Sequence, residues 1–224
     1  MRTVRDMVLL FVLLSVFSCG QKKPSVVPNQ EEAESLLKEA DSLMRADSAF
    51  LHAPVNRMNP RVCRYDSVIR QKLDDALLMC PSLKKAYLSK YIYLVRSRKM
   101  DEVLSLLRKM EANVPDSIAA EMWHLKAALE DRAGYRDTAK HDFLKADSLY
   151  ELALKKSMEA KADTVHYAML RLMKALNLSV YYDDFNLIRN EIRLYNGVHQ
   201  TPLGNAEIVG SMEGKEEYYH YLFD

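Results

Sequence analysis

The fold is indicated most clearly by residues 120–153, which read AEMWHLKAALEDRAGYRDTAKHDFLKADSLYELA. Apolar residues recur three and four positions apart on both sides of Gly134, the spacing of a helix that buries one face. Before the glycine they are Met122, Leu125, Ala128 and Leu129, and after it Ala139, Phe143, Ala146, Leu149 and Leu152. Glycine can end a helix in a left-handed conformation without steric cost. The stretch therefore predicts two amphipathic helices that form a hairpin at Gly134 and need neighbouring helices to cover them.

The order of small and large side chains in this hairpin resembles the tetratricopeptide repeat (TPR). That family places Trp, a small residue, Gly, Ala, Phe and Ala at the relative positions held here by Trp123, Ala127, Gly134, Ala139, Phe143 and Ala146. The small residues let helices cross closely, and the large ones fill the space between them. Lys126 and Glu130 stand where the family prefers Leu and Tyr, and Glu151 stands where it prefers Pro. The resemblance implies a stack of helical hairpins whose first helices line a concave groove.

The same periodicity predicts three further hairpins. Residues 30–50 and 62–80 form the first, and the loop between them contains Pro54 and Pro60, which cannot continue a helix. Residues 84–116 form the second, the central hairpin extends toward residue 162, and the last hairpin runs from residue 163 to Gly197. We therefore predict an all-α fold: a TPR-like α-solenoid of about four helical hairpins over residues 30–197, with a short irregular C-terminal tail.

The tail, residues 198–224, departs from the repeat pattern. Pro202, Gly204, Gly210 and Gly214 predict irregular structure in its first half, and the last ten residues are predicted as a short helix or an extended strip. Five large side chains crowd the end of the chain: Tyr218, Tyr219, Tyr221, Leu222 and Phe223. We expect the tail to cap the open end of the last hairpin near Leu187 and Tyr195, because a solenoid end exposes an apolar face. The alternative is a tail presented to a partner.

The first residues have the pattern of a secretion signal. Arg2 and Arg5 precede an apolar run over residues 8–17, which is shorter than the roughly 20 residues that a membrane-spanning helix needs. The run ends in Val16-Phe17-Ser18-Cys19, which resembles the bacterial lipobox. That resemblance implies a lipoprotein signal peptide over residues 1–18, a lipidated Cys19 and a flexible tether over residues 19–29. The implied location is the outer membrane, on its periplasmic side. The alternatives are an ordinary signal peptide cut near Gly20 and a short buried helix.

Charge and composition favour a helical protein without a disulfide and give no reason to expect nucleic-acid binding. The formal net charge is +1, from 32 Lys and Arg against 31 Asp and Glu, so nothing favours nucleic acid as a partner. Only 6 Gly and 7 Pro occur, which favours helices. Cys63 and Cys80 are expected on one helix, too far apart for a disulfide, and are predicted to be free. A bridge between them is the alternative.

No motif in the sequence predicts catalysis, a metal or a cofactor. The six histidines form no zinc pattern, and Asp137 and His141, four apart, are expected at the surface. The TPR resemblance places nine residues in the groove: Leu88, Ile92, Val95, His124, Ala128, Asp131, Met173, Asn177 and Val180. Leu88, His124 and Met173 stand where a carboxylate clamp needs Lys, so the groove is predicted to accept a helix or an extended apolar segment. Alternatively these residues are core, or the tail of the chain covers them.

These patterns predict a non-catalytic protein-interaction module, anchored by lipid in the bacterial envelope, whose partner is another envelope protein or a peptide segment. The sequence leaves two alternatives open. One is an envelope enzyme or a receptor for a small ligand, with its site at the inserted loop or the tail. The other is a structural spacer.

Overall fold

A computed structural model describes residues 29–48, 50, 63–160, 163–199, 203 and 205–223. Within these residues the chain is helical and contains no strand, so the predicted all-α fold class is confirmed. The chain divides at Ile118 and Ala119 into two compact units, called here the N-terminal and the C-terminal unit. The predicted signal peptide, the lipidated Cys19, most of the tether and nearly all of the inserted loop lie outside the described residues.

The N-terminal unit contains four α-helices within its described residues. They are α1 (Gln30–Ala46), α2 (Asp66–Met79), α3 (Lys84–Arg96) and α4 (Met100–Asn113), followed by a 3-10 turn at Pro115–Ser117. Each helix packs on the next, and α1 also packs on α3. The core is formed by residues three and four apart on each helix: Ala33, Leu37, Ala40, Ile69, Leu73, Ala76, Tyr87, Tyr91, Leu94, Val103, Leu107 and Met110. The first two predicted hairpins are therefore present, although their helices are shorter than predicted.

Polar contacts hold both ends of the inserted loop. The Asp47 carboxylate accepts hydrogen bonds from the backbone N–H of Phe50 (3.0 Å) and of Arg64 (2.9 Å). The buried guanidinium of Arg96 donates two hydrogen bonds to the Phe50 carbonyl, at 2.9 and 2.6 Å. Cys63 and Cys80 are buried and their thiols are free, as predicted, but they flank α2 rather than lying within it.

The C-terminal unit contains six α-helices within its described residues. They are α5 (Ala120–Arg132), α6 (Arg136–Glu159), α7 (Thr164–Tyr182), α8 (Asn186–Val198), α9 (Asn205–Gly210) and α10 (Lys215–Phe223). From α5 to α9 each helix packs on the next. A tight turn joins α7 to α8 at Asp183, whose backbone is left-handed with φ of 55°. Gly134 has φ of +86°, as expected for the turn between α5 and α6. The predicted third and fourth hairpins are thus present.

Two sequence predictions about this unit are wrong. The first half of the tail is not irregular in its described part, because residues 205–210 form the helix α9. After a turn over residues 211–214, α10 takes the helical form of the two that were predicted for the last ten residues. Leu152, expected on the buried face of its helix, is 48% exposed. The small residues of the hairpin are placed correctly: Ala127, Ala139 and Ala146 are buried where helices meet. No helix in the described part of the chain is both long enough and apolar enough to span a membrane.

Candidate functional site

The nine predicted groove residues fall in both units. Leu88 is buried on α3 of the N-terminal unit, and Ile92 and Val95 are half-buried on the same helix. The other six lie on α5 and α7 of the C-terminal unit. His124, Ala128, Asn177 and Val180 are buried, whereas Asp131 and Met173 are half-buried. We call the faces of α5 and α7 that carry these six residues the groove, and α10 packs against it.

A chain of hydrogen bonds crosses the groove at His124. The Asn177 amide donates to the carbonyl oxygen of Phe143 (2.9 Å), so its own oxygen faces His124 and accepts from Nδ1 at 3.1 Å. His124 Nε2 is then free to accept from the hydroxyl of Tyr218, at 2.8 Å. Burial lowers the pKa of His124 to about 4, because the charged imidazolium is disfavoured away from water. The neutral ring therefore offers one donor and one acceptor, and both are used.

Asp131 provides the second polar contact between the groove and α10. Its Oδ2 accepts hydrogen bonds from Lys215 Nζ (2.8 Å) and from the hydroxyl of Tyr219 (2.7 Å). Burial opposes the ionisation of Asp131, but the bonds from Lys215 and Tyr219 outweigh it and hold its pKa below the usual value. Burial and the neighbouring Asp131 carboxylate in turn raise the pKa of Tyr219, so its hydroxyl remains a donor.

The turn before α10 is fixed by two further side chains. The Asp183 carboxylate accepts from the backbone N–H of Lys215 at 2.7 Å and so satisfies one of the unpaired donors at the start of α10. Arg189 on α8 donates to the carbonyl oxygens of Gly210 (3.4 Å) and Met212 (3.0 Å). A side chain at Gly214 would approach the Asp183 oxygen within 3.1 Å, so a glycine suits this position.

Aromatic side chains fill the space between these polar contacts. Tyr218 and Tyr219 are each 3% exposed, and the Tyr218 ring lies 5.9 Å from the ring of His124 and 6.2 Å from that of Phe185. The Arg132 guanidinium lies 5.2 Å from the centre of the Phe223 ring. The last residues therefore lie on α5 and α7. It is α9 that packs on α8, the helix that carries the predicted contacts Leu187 and Tyr195. The alternative in which the tail covers the groove residues is thus the one found in this unit.

Sequence reasoning missed a buried charge cluster between α5 and α6. Lys126 Nζ contacts the carboxylates of Asp142 and, at 3.3 Å, Glu130. These three residues are at most 1% exposed, and the ring of Trp123 lies 5.3 Å from the ammonium group. Exposed His141 contacts the other Asp142 oxygen at 3.0 Å. The sequence feature that could have indicated this cluster is the pair Lys126 and Glu130, which lie four residues apart on a helix at positions where the repeat family has Leu and Tyr. We call this set of three residues the buried triad.

The described residues offer little else that resembles a site. Among them, no group of three or more His, Cys, Asp and Glu is arranged to hold a metal ion. Asp137 and His141 are both exposed, as predicted. A surface depression runs along α4 alone, lined by Asp101, Leu104, Ser105, Arg108, Lys109, Ala112 and Asn113. It is open to solvent, unlike the groove, where buried groups converge on one helix.

Comparison with protein-family models, with curated proteins and with solved structures finds no match to this chain. The groove is therefore interpreted from its own chemistry.

Proposed function

We propose that this chain is a non-catalytic protein-binding module, similar to TPR proteins, that is anchored in the bacterial cell envelope by a lipid on Cys19. The observation that carries the proposal is the groove itself. It holds a nine-residue helix by burying two tyrosines and by making three side-chain hydrogen bonds, through His124 and Asp131. Helix-in-groove recognition uses this combination of apolar anchors and a few placed polar groups.

The partner that this groove suits is a helical segment of another envelope protein. His124 and Asp131 present hydrogen-bond acceptors to α10 beside the buried apolar groove residues Ala128 and Val180. Such a surface favours a helix that has one apolar face and a small number of donors. Anchoring through Cys19 at the outer membrane, with the domain on the periplasmic side, follows from the lipobox resemblance and would place the groove within reach of envelope proteins.

The test is capture of the partner with matched variants of the full chain. The chain would be cross-linked in its own envelope, purified, and its partners identified by mass. Met173→Glu adds a charge to a half-buried groove position, whereas Leu194→Glu adds the same charge to an exposed apolar position on α8. We expect one protein to be captured by the unmodified chain and by Leu194→Glu, and to be lost with Met173→Glu.

Two results would contradict the proposal. One is the absence of any protein enriched above an unrelated lipoprotein treated in the same way. The other is equal capture by both variants, since the partner would then bind outside the groove. Thermal melts of both variants must show that each is folded before the comparison is made.

A further inference from the structure

We infer that α10 is a displaceable internal ligand of the groove, and that the partner presents a helix of the same chemistry: a Lys or Arg followed, three and four residues later, by two tyrosines. This inference rests on the proposed function, because it names the class of partner that the proposed groove accepts. We call Lys215, Tyr218 and Tyr219 the template, because the partner is inferred to present the same three residue types at the same spacing.

The three template residues share one face of α10. Positions i, i+3 and i+4 of a helix lie side by side, which is the spacing of Lys215, Tyr218 and Tyr219. All three direct their polar atoms to the groove: Lys215 and Tyr219 to Asp131, and Tyr218 to His124. The opposite face carries exposed Glu216, Glu217 and His220. The recognition surface of α10 is therefore compact and can be reproduced by a short segment of another protein.

The groove selects for donors as well as for apolar surface. A purely apolar helix in place of α10 would leave the Asp131 carboxylate and His124 Nε2 covered without the donors they now have. Leaving a buried acceptor unsatisfied costs the full desolvation of that group, and more for a charged one. The negative charge of Asp131 also favours a cation at that position. A competing helix must therefore supply a basic group and hydroxyl donors at the spacing found in α10.

Departure of α10 would uncover the part of the core that Tyr218 and Tyr219 now cover, but it would leave the contacts within each hairpin, α5 with α6 and α7 with α8, in place. This helix is the last one described, and it follows a turn whose own contacts, to Asp183 and Arg189, lie before or at its first residue. Nine residues are too few for a stable helix in water, so α10 depends on the groove for its structure. A partner helix that makes the same contacts replaces those lost when α10 departs. Because the tail is tethered, its high effective concentration holds the groove closed until such a partner arrives.

The test uses the full chain and a fluorescent peptide with the sequence of residues 211–224, SMEGKEEYYHYLFD. The double substitution Lys215→Ala with Tyr219→Phe removes both donors to Asp131 and loosens the tail. The control Glu216→Ala changes an exposed residue on the other face of the same helix. Fluorescence anisotropy should show the peptide binding the loosened chain at least tenfold more tightly than the unmodified chain or the Glu216→Ala variant. A peptide with both Tyr218→Ala and Tyr219→Ala should lose this binding.

A second measurement keeps the inference testable if the loosened chain fails to fold. Hydrogen exchange on the unmodified chain should show α10 opening independently, with amides at least tenfold less protected than the core amides of α5 and α7. Equal protection of α10, α5 and α7 would overturn the inference, because α10 would then be part of one cooperative core. Equal peptide binding by the loosened and unmodified chains would also overturn it.

The remaining outcomes separate this inference from the proposed function. If the unmodified chain forms dimers that the peptide dissociates, the occupant is a second copy of the chain, and the inference of a different partner is wrong. If the peptide does not bind while Met173→Glu still abolishes capture of an envelope protein, the proposed function stands and the template fails. If the peptide binds as expected but no envelope protein is captured, the template stands and the proposed function fails.

Discussion

Replacing Lys126 with Leu should destabilise the C-terminal unit severely, although Leu is the residue that the repeat pattern prefers at this position. Lys126 is the cation of the buried triad, and Glu130 and Asp142 are each 0% exposed. Its removal leaves two carboxylates in an apolar environment without their counter-charge. Breaking a buried ion pair in this way costs about 3–5 kcal/mol. That is a large fraction of the 5–15 kcal/mol typical of a folded protein, and it corresponds to a loss of roughly 6–20 °C in Tm.

Replacing the whole triad should reverse most of this loss. The triple variant Lys126→Leu, Glu130→Tyr and Asp142→Leu removes all three charges of the buried triad and introduces the two residues that the repeat pattern favours. Exchange of a buried charge cluster for well-packed apolar residues is often neutral, or stabilising by about 1–4 kcal/mol. His141 loses its contact with Asp142, but its side chain is 69% exposed and the contact contributes little.

The assay is urea unfolding followed by tryptophan fluorescence. Trp123 is the only tryptophan in the chain and lies beside Lys126, so its signal reports on this hairpin. Midpoints and slopes, rather than amplitudes, are compared, because removing the neighbouring ammonium group changes the emission itself. Lys145→Leu, at an exposed position of α6, is the matched control and should change the unfolding free energy by less than about 0.5 kcal/mol. The reasoning is refuted if Lys126→Leu costs less than about 1 kcal/mol, or if the triple variant is less stable than the single one.

Three further predictions concern the anchor, the packing and the pH response. Cys19→Ala should move the protein from the membrane pellet to the soluble fraction, and unlipidated protein that still pellets after a salt wash would contradict this. Ala139→Leu should overpack the buried contact of α6 and cost about 1–3 kcal/mol in a thermal melt; an unchanged melt would mean that the side chain finds space. For His124 the folded pKa is about 4 against 6.5 for the free side chain, so the unfolded state binds the extra proton and stability falls as the pH drops from 6.5 toward 4. The loss should be about 2 kcal/mol between pH 6.5 and 5 in urea titrations, and it should shrink in His124→Gln; equal losses in both would contradict the assignment.

The hairpins could be predicted because each helix is indicated by residues that are close together in the sequence. The three- and four-residue spacing of apolar residues places Ala127, Ala139 and Ala146 at helix contacts, and each is buried. Gly134 marks the turn because few other residues adopt its positive φ. The predicted helix ends were less accurate than the predicted helices. Leu152 was assigned to the buried face because periodicity alone does not show where neighbouring helices stop covering α6.

The sequence offered the tail as one possible cover of the groove residues, but it could not decide for it because the contacts are distant in sequence. His124 and Tyr218 are 94 residues apart, and Asp131 and Tyr219 are 88 apart. Nothing in the local pattern around either pair indicates the other. The resemblance to a repeat family gave the groove positions on α5 and α7, but the family pattern ends before the tail begins. The short helix α10 was one of the two forms predicted for the last ten residues. The sequence alone could not decide between them, because a nine-residue helix depends on tertiary contacts rather than on its own propensity.

The polar residues of α5 explain why apolar periodicity underestimated its burial. The helix is buried on more than one face: Lys126 and Glu130 meet Asp142 on α6, whereas His124 and Asp131 meet α10. A pattern that counts only apolar residues assigns these positions to solvent. Each of these contacts requires one particular partner, since a buried charge or imidazole left without it is costly. An entirely apolar α5 could pack against α6 and α10 in several registers. The polar residues of α5 therefore determine how this hairpin and the tail fit together, and they are the same residues that weaken its resemblance to a repeat.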